Sequence, residues 1–238
     1  MLRQRKRKNM SELTPYERSW LDVLDELRSC AEIHMTRDHE GRLNLVIGDA
    51  QKAFAELAEW DGIALPHTLQ KYYMRFSSLA ACWWFGESES EPLIGGEFDI
   101  THIYKAIQAD PPEHRWPNPS PEQQQLISEL RDFDGTSLTG LGHVTSLRLP
   151  HGAEDLEIWF HDVPRDAHKM DLGYCGYLDA LCATKGTFGW QYLFTDVSLA
   201  DEELEVTAER LSHMLDIFPR LFPDYDYSDL HARLRERM

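Results

Sequence analysis

The sequence predicts an α+β protein: a mainly antiparallel, twisted sheet flanked by helices, with helical N- and C-terminal extensions. Three observations point there. Apolar residues recur at helical spacing towards both termini and alternate at strand spacing between them. The elements run helices, strands, helices, not in the βαβ alternation that builds a parallel sheet. A composition that is 42% hydrophobic and 11% aromatic over 238 residues belongs to a globular chain long enough to bury a core without staples.

The elements follow in order. Thr14-Pro15-Tyr16-Glu17 combines a capping box with proline at the first helical position. Behind it Tyr16, Trp20, Val23, Leu24, Leu27 and Ala31 make one apolar stripe, which Gly41 breaks off. Residues 43–47 read as a short strand. Asp49 caps a second helix with Ala50, Phe54, Leu57 and Ala58 on one face, and Gly62 ends it. Leu65-Pro66 opens a third helix with Leu69, Tyr72, Tyr73 and Phe76 inward. Cys82-Trp83-Trp84-Phe85 is a buried strand, followed by an acidic loop, a turn at Gly95-Gly96 and a strand over 97–100. Residues 111–121 hold five of the twelve prolines and read as a surface insertion. Ser120-Pro121-Glu122-Gln123 caps a helix reaching about Phe133.

Strands return at 142–149 and 156–160, which pair as an antiparallel hairpin. Residues 172–183 are helical, with Gly186 beyond the end. A long helix starts at 198–201, buries Leu204, Ala208, Leu211, Leu215 and Phe218, and stops at Pro219. Ser228 caps a last short helix.

Charge narrows the function. With 41 acidic and 24 basic side chains the net charge is −17. Residues 1–9 carry five basic side chains and no acidic one, so the remaining 229 residues carry −22. Nucleic acid is a poor partner for such a body, because phosphates need clustered Lys and Arg. No run of 18 apolar residues exists, which excludes a membrane-spanning helix. The basic tail lacks a following apolar h-region, so it reads as a disordered tail, or as an overcalled start upstream of Met10, and not as a signal peptide; a nucleic-acid or membrane-surface role for the tail is the alternative. Cys30, Cys82, Cys175 and Cys182 are widely scattered, as expected of free thiols in a reducing cytoplasm.

Motifs for catalysis are sparse. GxGxxG, GxxxxGK[ST] and GxSxG are all absent. Cys30 and His34 stand at i, i+4 with His39 near, and His161-Asp162 precedes His168, but neither set matches a metal-binding spacing. Cys175 and Cys182 face one way on a helix without a histidine partner, which favours packing over catalysis. Among 41 carboxylates some pair always resembles a general acid and base; Glu154-Asp155 with Glu157, or Glu87 with Glu89, read by default as solvated acidic surface. Trp83-Trp84 and Gly189-Trp190 read mainly as core, yet one tryptophan of an adjacent strand pair faces outward unless both faces are covered.

Several segments, in order, resemble the SUKH superfamily, which includes yeast cell-wall-assembly regulators and many bacterial immunity proteins. They are the Leu-Pro helix start at Ile63-Ala64-Leu65-Pro66-His67-Thr68-Leu69-Gln70-Lys71-Tyr72-Tyr73, the stretch Ile94-Gly95-Gly96-Glu97-Phe98-Asp99-Ile100, then Leu156-Glu157-Ile158-Trp159-Phe160-His161-Asp162, and the closing helix Tyr177-Leu178-Asp179-Ala180-Leu181-Cys182 with Gly186, Gly189 and Trp190. Ser77-Ser78-Leu79 stands where the family has an Asn-Gly turn. The resemblance divides the chain into a basic tail (1–10), an N-terminal helical extension (11–59), a SUKH-like α+β core (60–195) and C-terminal helices packed on that core (196–238).

The resemblance implies a non-enzymatic, cytoplasmic protein-binding module without cofactor or metal. Its partner would be a protein, foremost a basic, nuclease-like toxin whose cleft it occludes, and it would be a monomer or weak homodimer, binding neither nucleic acid nor membrane. The expected contacts are Glu87, Glu89, Glu91, Asp155, Glu157 and Asp162, with Trp84 and Trp159 as aromatic anchors. Two alternatives stand beside it: a regulatory or scaffold protein of the same fold, and a small metal- or carboxylate-dependent hydrolase around His161, Asp162 and His168.

Overall fold

Among the described residues seven strands form two antiparallel sheets joined at a seam. The structure, a computed structural model, describes residues 13–86, 94–113, 115–149 and 156–238. The α+β class is as the sequence predicts. Helix α1 (Pro15–Ser29) starts at the expected capping box and buries Trp20, Val23, Leu24 and Leu27. It ends earlier than its stripe suggests. Residues from Ile33 to Glu40 are strand β1, not a fraying helix. The strand expected over 43–47 is instead a lone bridge from Leu43 to Phe76 and a 3-10 turn, Leu45–Ile47. Helix α2 (Ala50–Glu56) continues through a π-helical turn to Gly62, whose φ of 69° supplies the left-handed end. The expected third helix is a 3-10 turn, His67–Tyr72.

Strands β2 (Leu79–Phe85) and β3 (Gly95–Ile100) complete a three-stranded sheet in the order β1-β2-β3. Gly95 and Gly96 are not the turn that the dipeptide suggests. They lie within β3 as flat seats for two indoles: a Cβ on Gly95 would stand 2.3 Å from the Trp84 ring, and one on Gly96 2.8 Å from Trp83. Trp83 is fully buried and donates its Nε1–H to the carbonyl of Lys185, while Trp84 is half-buried on the other face.

Helix α3 (Ile103–Ile107) leads to the proline-rich segment and to α4 (Pro121–Glu129), again opened by the expected capping box. The helix stops at Glu129, short of Phe133. Leu126, Leu130 and Phe133 have helical spacing, but Leu130–Gly135 is β4, paired with β5. Strands β5 (His143–Arg148) and β6 (Glu157–Asp162) form the expected antiparallel pair, and β7 (Ala167–Lys169) adds a short edge that the sequence reading lacks.

The two sheets meet at β3 and β4. The Thr101 N–H donates to the Phe133 carbonyl at 2.8 Å, and the Asp99 N–H donates to the Asp134 carboxylate at 2.9 Å. Helix α5 (Tyr174–Thr184) lies across this seam, where the Tyr177 hydroxyl reaches Asp134 at 2.6 Å and Thr145 at 2.9 Å. Helix α6 (Glu205–Leu221) buries Ala208, Leu211, Leu215 and Phe218 as predicted. Pro219 does not stop it. The helix runs two residues further, to Leu221, at the loss of the one i→i−4 donor that proline cannot supply. Helix α7 (Ser228–Arg237) begins at Ser228, which is its first residue and not its cap. One apolar core runs through all these segments, from Leu13 to Leu234. Among the described residues no helix is long and apolar enough to cross a membrane.

Candidate functional site

Strand alternation decides where the sequence-predicted contacts lie. Glu157, Trp159 and His161 share the outer face of the four-stranded sheet; Ile158, Phe160 and Asp162 point inward. Glu157 is a hub and not a free acid. It accepts from Lys169 Nζ at 2.6 Å, Arg148 Nη1 at 3.0 Å and Trp159 Nε1 at 3.0 Å. Burial alone would raise its pKa, but these donors hold it down at about 2. Trp159 is half-buried under the Arg148 guanidinium, 5.7 Å from the ring. Trp84 rests against Phe188, centroids 5.3 Å apart. Glu87, Glu89, Glu91 and Asp155 lie outside the described residues.

Asp162 corrects the sequence reading. It is 1% exposed, so it offers no carboxylate to a partner. Its Oδ2 accepts from Arg165 at 2.7 Å and from the Tyr192 hydroxyl, with His143 Nε2 at 3.8 Å. His161, its neighbour in sequence, sits on the opposite face beneath Trp116, and burial followed by the Arg115 charge pulls its pKa down to about 4. His168 shares the face of Phe160, its ring 6.3 Å from that of Tyr192. The structure thus brings Asp162 and His168 to one tyrosine and turns His161 away.

The proline-rich segment packs on that outer face. Arg115 pairs with Asp132, which also accepts from Ser146, and Trp116 donates its Nε1–H to Asp166 at 2.9 Å. The other chemical candidates scatter. Cys30 caps the end of α1, while His34 and His39 sit on β1 opposite Trp84 and Ala80. Among the described residues no three His, Cys, Asp or Glu side chains come together as metal ligands. Burial pushes the Cys182 thiol up to about 12 and raises Cys175 as well, which disfavours either thiolate.

A denser acidic surface lies where sequence reasoning placed only a helix start. Asp201, Glu202, Glu203, Glu205 and Glu209 all face solvent at the beginning of α6. Glu203 reaches Arg165 at 4.0 Å; the other four pair with no described lysine or arginine. Asp201, Glu202, Glu205 and Glu209 rim a groove of about 620 Å³ between α6 and α7, floored by Leu199, Ala208 and Leu234, with Met238 at its mouth. The floor is held in place: the Leu199 N–H donates to the Arg237 carbonyl at 2.8 Å, and the Arg233 guanidinium caps the Phe194 ring at 4.3 Å. The signal was present as five acids in the nine residues DEELEVTAE. Comparison of the chain with protein-family models, with curated proteins and with solved structures finds no match.

Proposed function

We propose that this chain is a non-enzymatic, cytoplasmic protein-binding module of SUKH type, acting as an immunity protein that covers the basic cleft of a nuclease-like toxin. The observation that carries this reading is the acidic strip at the start of α6, whose carboxylates, Glu203 apart, stand in solvent without described cations. Two of the carboxylates expected as contacts, Glu157 and Asp162, are instead neutralised by arginine and lysine. A nuclease must hold phosphates, so its cleft is basic. An inhibitor carrying unpaired carboxylates is steered to that cleft, which raises the association rate and selects the partner. The resemblance of the central segments to the SUKH superfamily supports the same class.

Co-expression tests it. Each open reading frame beside the gene is expressed alone and with this chain, and the tagged chain is used to recover what it binds. A basic protein that is toxic alone, tolerated in company and recovered in a stoichiometric complex supports immunity. Recovery of a non-toxic housekeeping protein replaces immunity with a scaffold role. Turnover of a substrate by the purified chain ends the non-enzymatic reading.

A further inference from the structure

We infer that the groove between α6 and α7 is a docking site for a cationic amphipathic segment of a protein partner, one that seats an apolar side chain between flanking Lys or Arg. The inference rests on the proposed protein-binding role and adds where and what the chain binds. Three features lead to it.

The groove is two-toned. Its floor of Leu199, Ala208 and Leu234 is 9% exposed or less, whereas its rim residues Asp201, Glu202, Glu205 and Glu209 are exposed. An apolar pocket inside a charged rim is the arrangement of an interface anchor surrounded by its polar border. Val206 and Met238, 56% and 64% exposed, extend apolar surface beyond the floor.

Helix energetics do not account for the charge. Acids in a first turn oppose the positive end of a helix, which explains Glu202, Glu203 and Glu205. Glu209 lies a turn further on, beyond the reach of that effect, and still rims the groove. The cations nearby are directed elsewhere: Arg165 towards Asp162, Arg237 and Arg233 towards Asp171, and Arg210 over the Phe188 ring. Arg235 is exposed on α7 outside the groove lining.

The rim also selects the occupant. Four carboxylates repel phosphates and anionic lipid headgroups, and among the described residues none is grouped with ligands to hold a metal. A purely cationic segment would leave the floor uncovered, and a purely apolar one would leave the rim desolvated and unpaired. A helical segment with Leu along one face and Lys flanking it satisfies both.

The test uses the full chain and a synthetic helical peptide of leucine and lysine, beside an isocharged peptide with serine for leucine. Binding is followed calorimetrically and by amide chemical shifts. The Leu/Lys peptide is expected to bind at least tenfold more tightly than the Ser/Lys peptide, to weaken as salt is raised, and to shift amides within 199–212 and 230–238. Ala200→Trp and Ser212→Trp, both at exposed lining positions, fill the groove without changing its charge and should each cost tenfold or more. Glu205→Lys with Glu209→Lys should do the same.

Melting curves identify any variant that fails to fold, and the remaining ones carry the result. Unchanged affinity in folded groove-filled variants, or shifts centred on Trp159, overturns the groove while leaving the protein-binding role intact. Self-association abolished by Ala200→Trp makes the occupant a second copy and overturns a foreign partner. Peptide binding in the groove without any recoverable protein partner keeps the groove and removes the immunity reading.

Discussion

The interior and the start of α6 handle charge in opposite ways. Inside, each carboxylate has specific partners: hydrogen-bond donors at Glu97 and Asp134, opposite charges at others. Glu17, fully buried in the capping box of α1, also accepts from the Arg75 backbone at 2.8 Å and its guanidinium at 2.6 Å. Lys185, likewise inaccessible, pairs with Glu26 and lies over the Tyr225 ring at 3.9 Å. At Asp201, Glu202, Glu205 and Glu209 no described cation does this. The contrast shows that the net charge is not spread evenly: folding consumes some carboxylates as internal ligands and leaves others without a described cation, most densely at the start of α6. The first kind should be measurable as stability, the second as association.

The largest effect should come from the buried pair. Glu17→Ala takes from the Arg75 guanidinium its buried carboxylate and removes one arm of the α1 capping box, costing about 3–5 kcal/mol in denaturant unfolding. Glu17→Leu with Arg75→Met should cost less than that single change, because it removes both charges.

Next comes the seam between the sheets. Burial raises the Asp134 pKa from 3.8 to about 6, against the opposing hydrogen bond from Tyr177. The Asp99 carboxylate also disfavours its ionisation. Between those two values the folded state holds a proton that the unfolded chain has lost, so this group's contribution to stability falls as pH rises from about 4 to 6. A shift of roughly two units corresponds to about 3 kcal/mol. Urea midpoints at pH 4 and pH 7 should therefore favour Asp134→Asn over the parent more at pH 7. An equal difference at both pH values would remove Asp134 as the source.

Smaller again is Lys185→Met, which removes a cation that burial has already made less basic. The lost pairing with Glu26 and ring contact, offset by relief of desolvation, should cost about 2 kcal/mol in thermal or denaturant unfolding. Smallest for stability is Glu205→Lys with Glu209→Lys, expected to lie within about 0.5 kcal/mol of the parent while abolishing capture of a basic partner. A large loss of stability there would erase the contrast between the two regions.

Legibility in the sequence followed local chemistry. The capping boxes at Thr14 and Ser120, and the α6 stripe, were readable because each signal is complete within a few residues. Strand β1 was not. Of its residues only Ile33 is buried, and its conformation comes from pairing with β2, about forty to fifty positions on. Strand β4 was hidden because Leu126, Leu130 and Phe133 fit a helix equally well until β5 pairs with them. Gly95 and Gly96 carried a turn signal, while their purpose depends on two tryptophans in another strand. The same limit governed the site. Forty-one carboxylates look alike in a sequence. Only side-chain geometry separates Asp162, which is spent internally, from Glu209, which is not.

The clamp on Lys185 bears on when the molecule acquires its fold. Lys185 at the end of α5 meets Glu26, 159 positions earlier, and Glu26 in turn accepts from the Tyr225 hydroxyl across 199 positions. Contacts this distant in sequence form only after large loops have closed, which slows folding relative to a chain held by local contacts. On the ribosome, α1 emerges long before Tyr225 is synthesised. A nascent chain stopped before that tyrosine would lack one of the two rings that cover its internal lysine, so the clamp closes only once Tyr225 has been made.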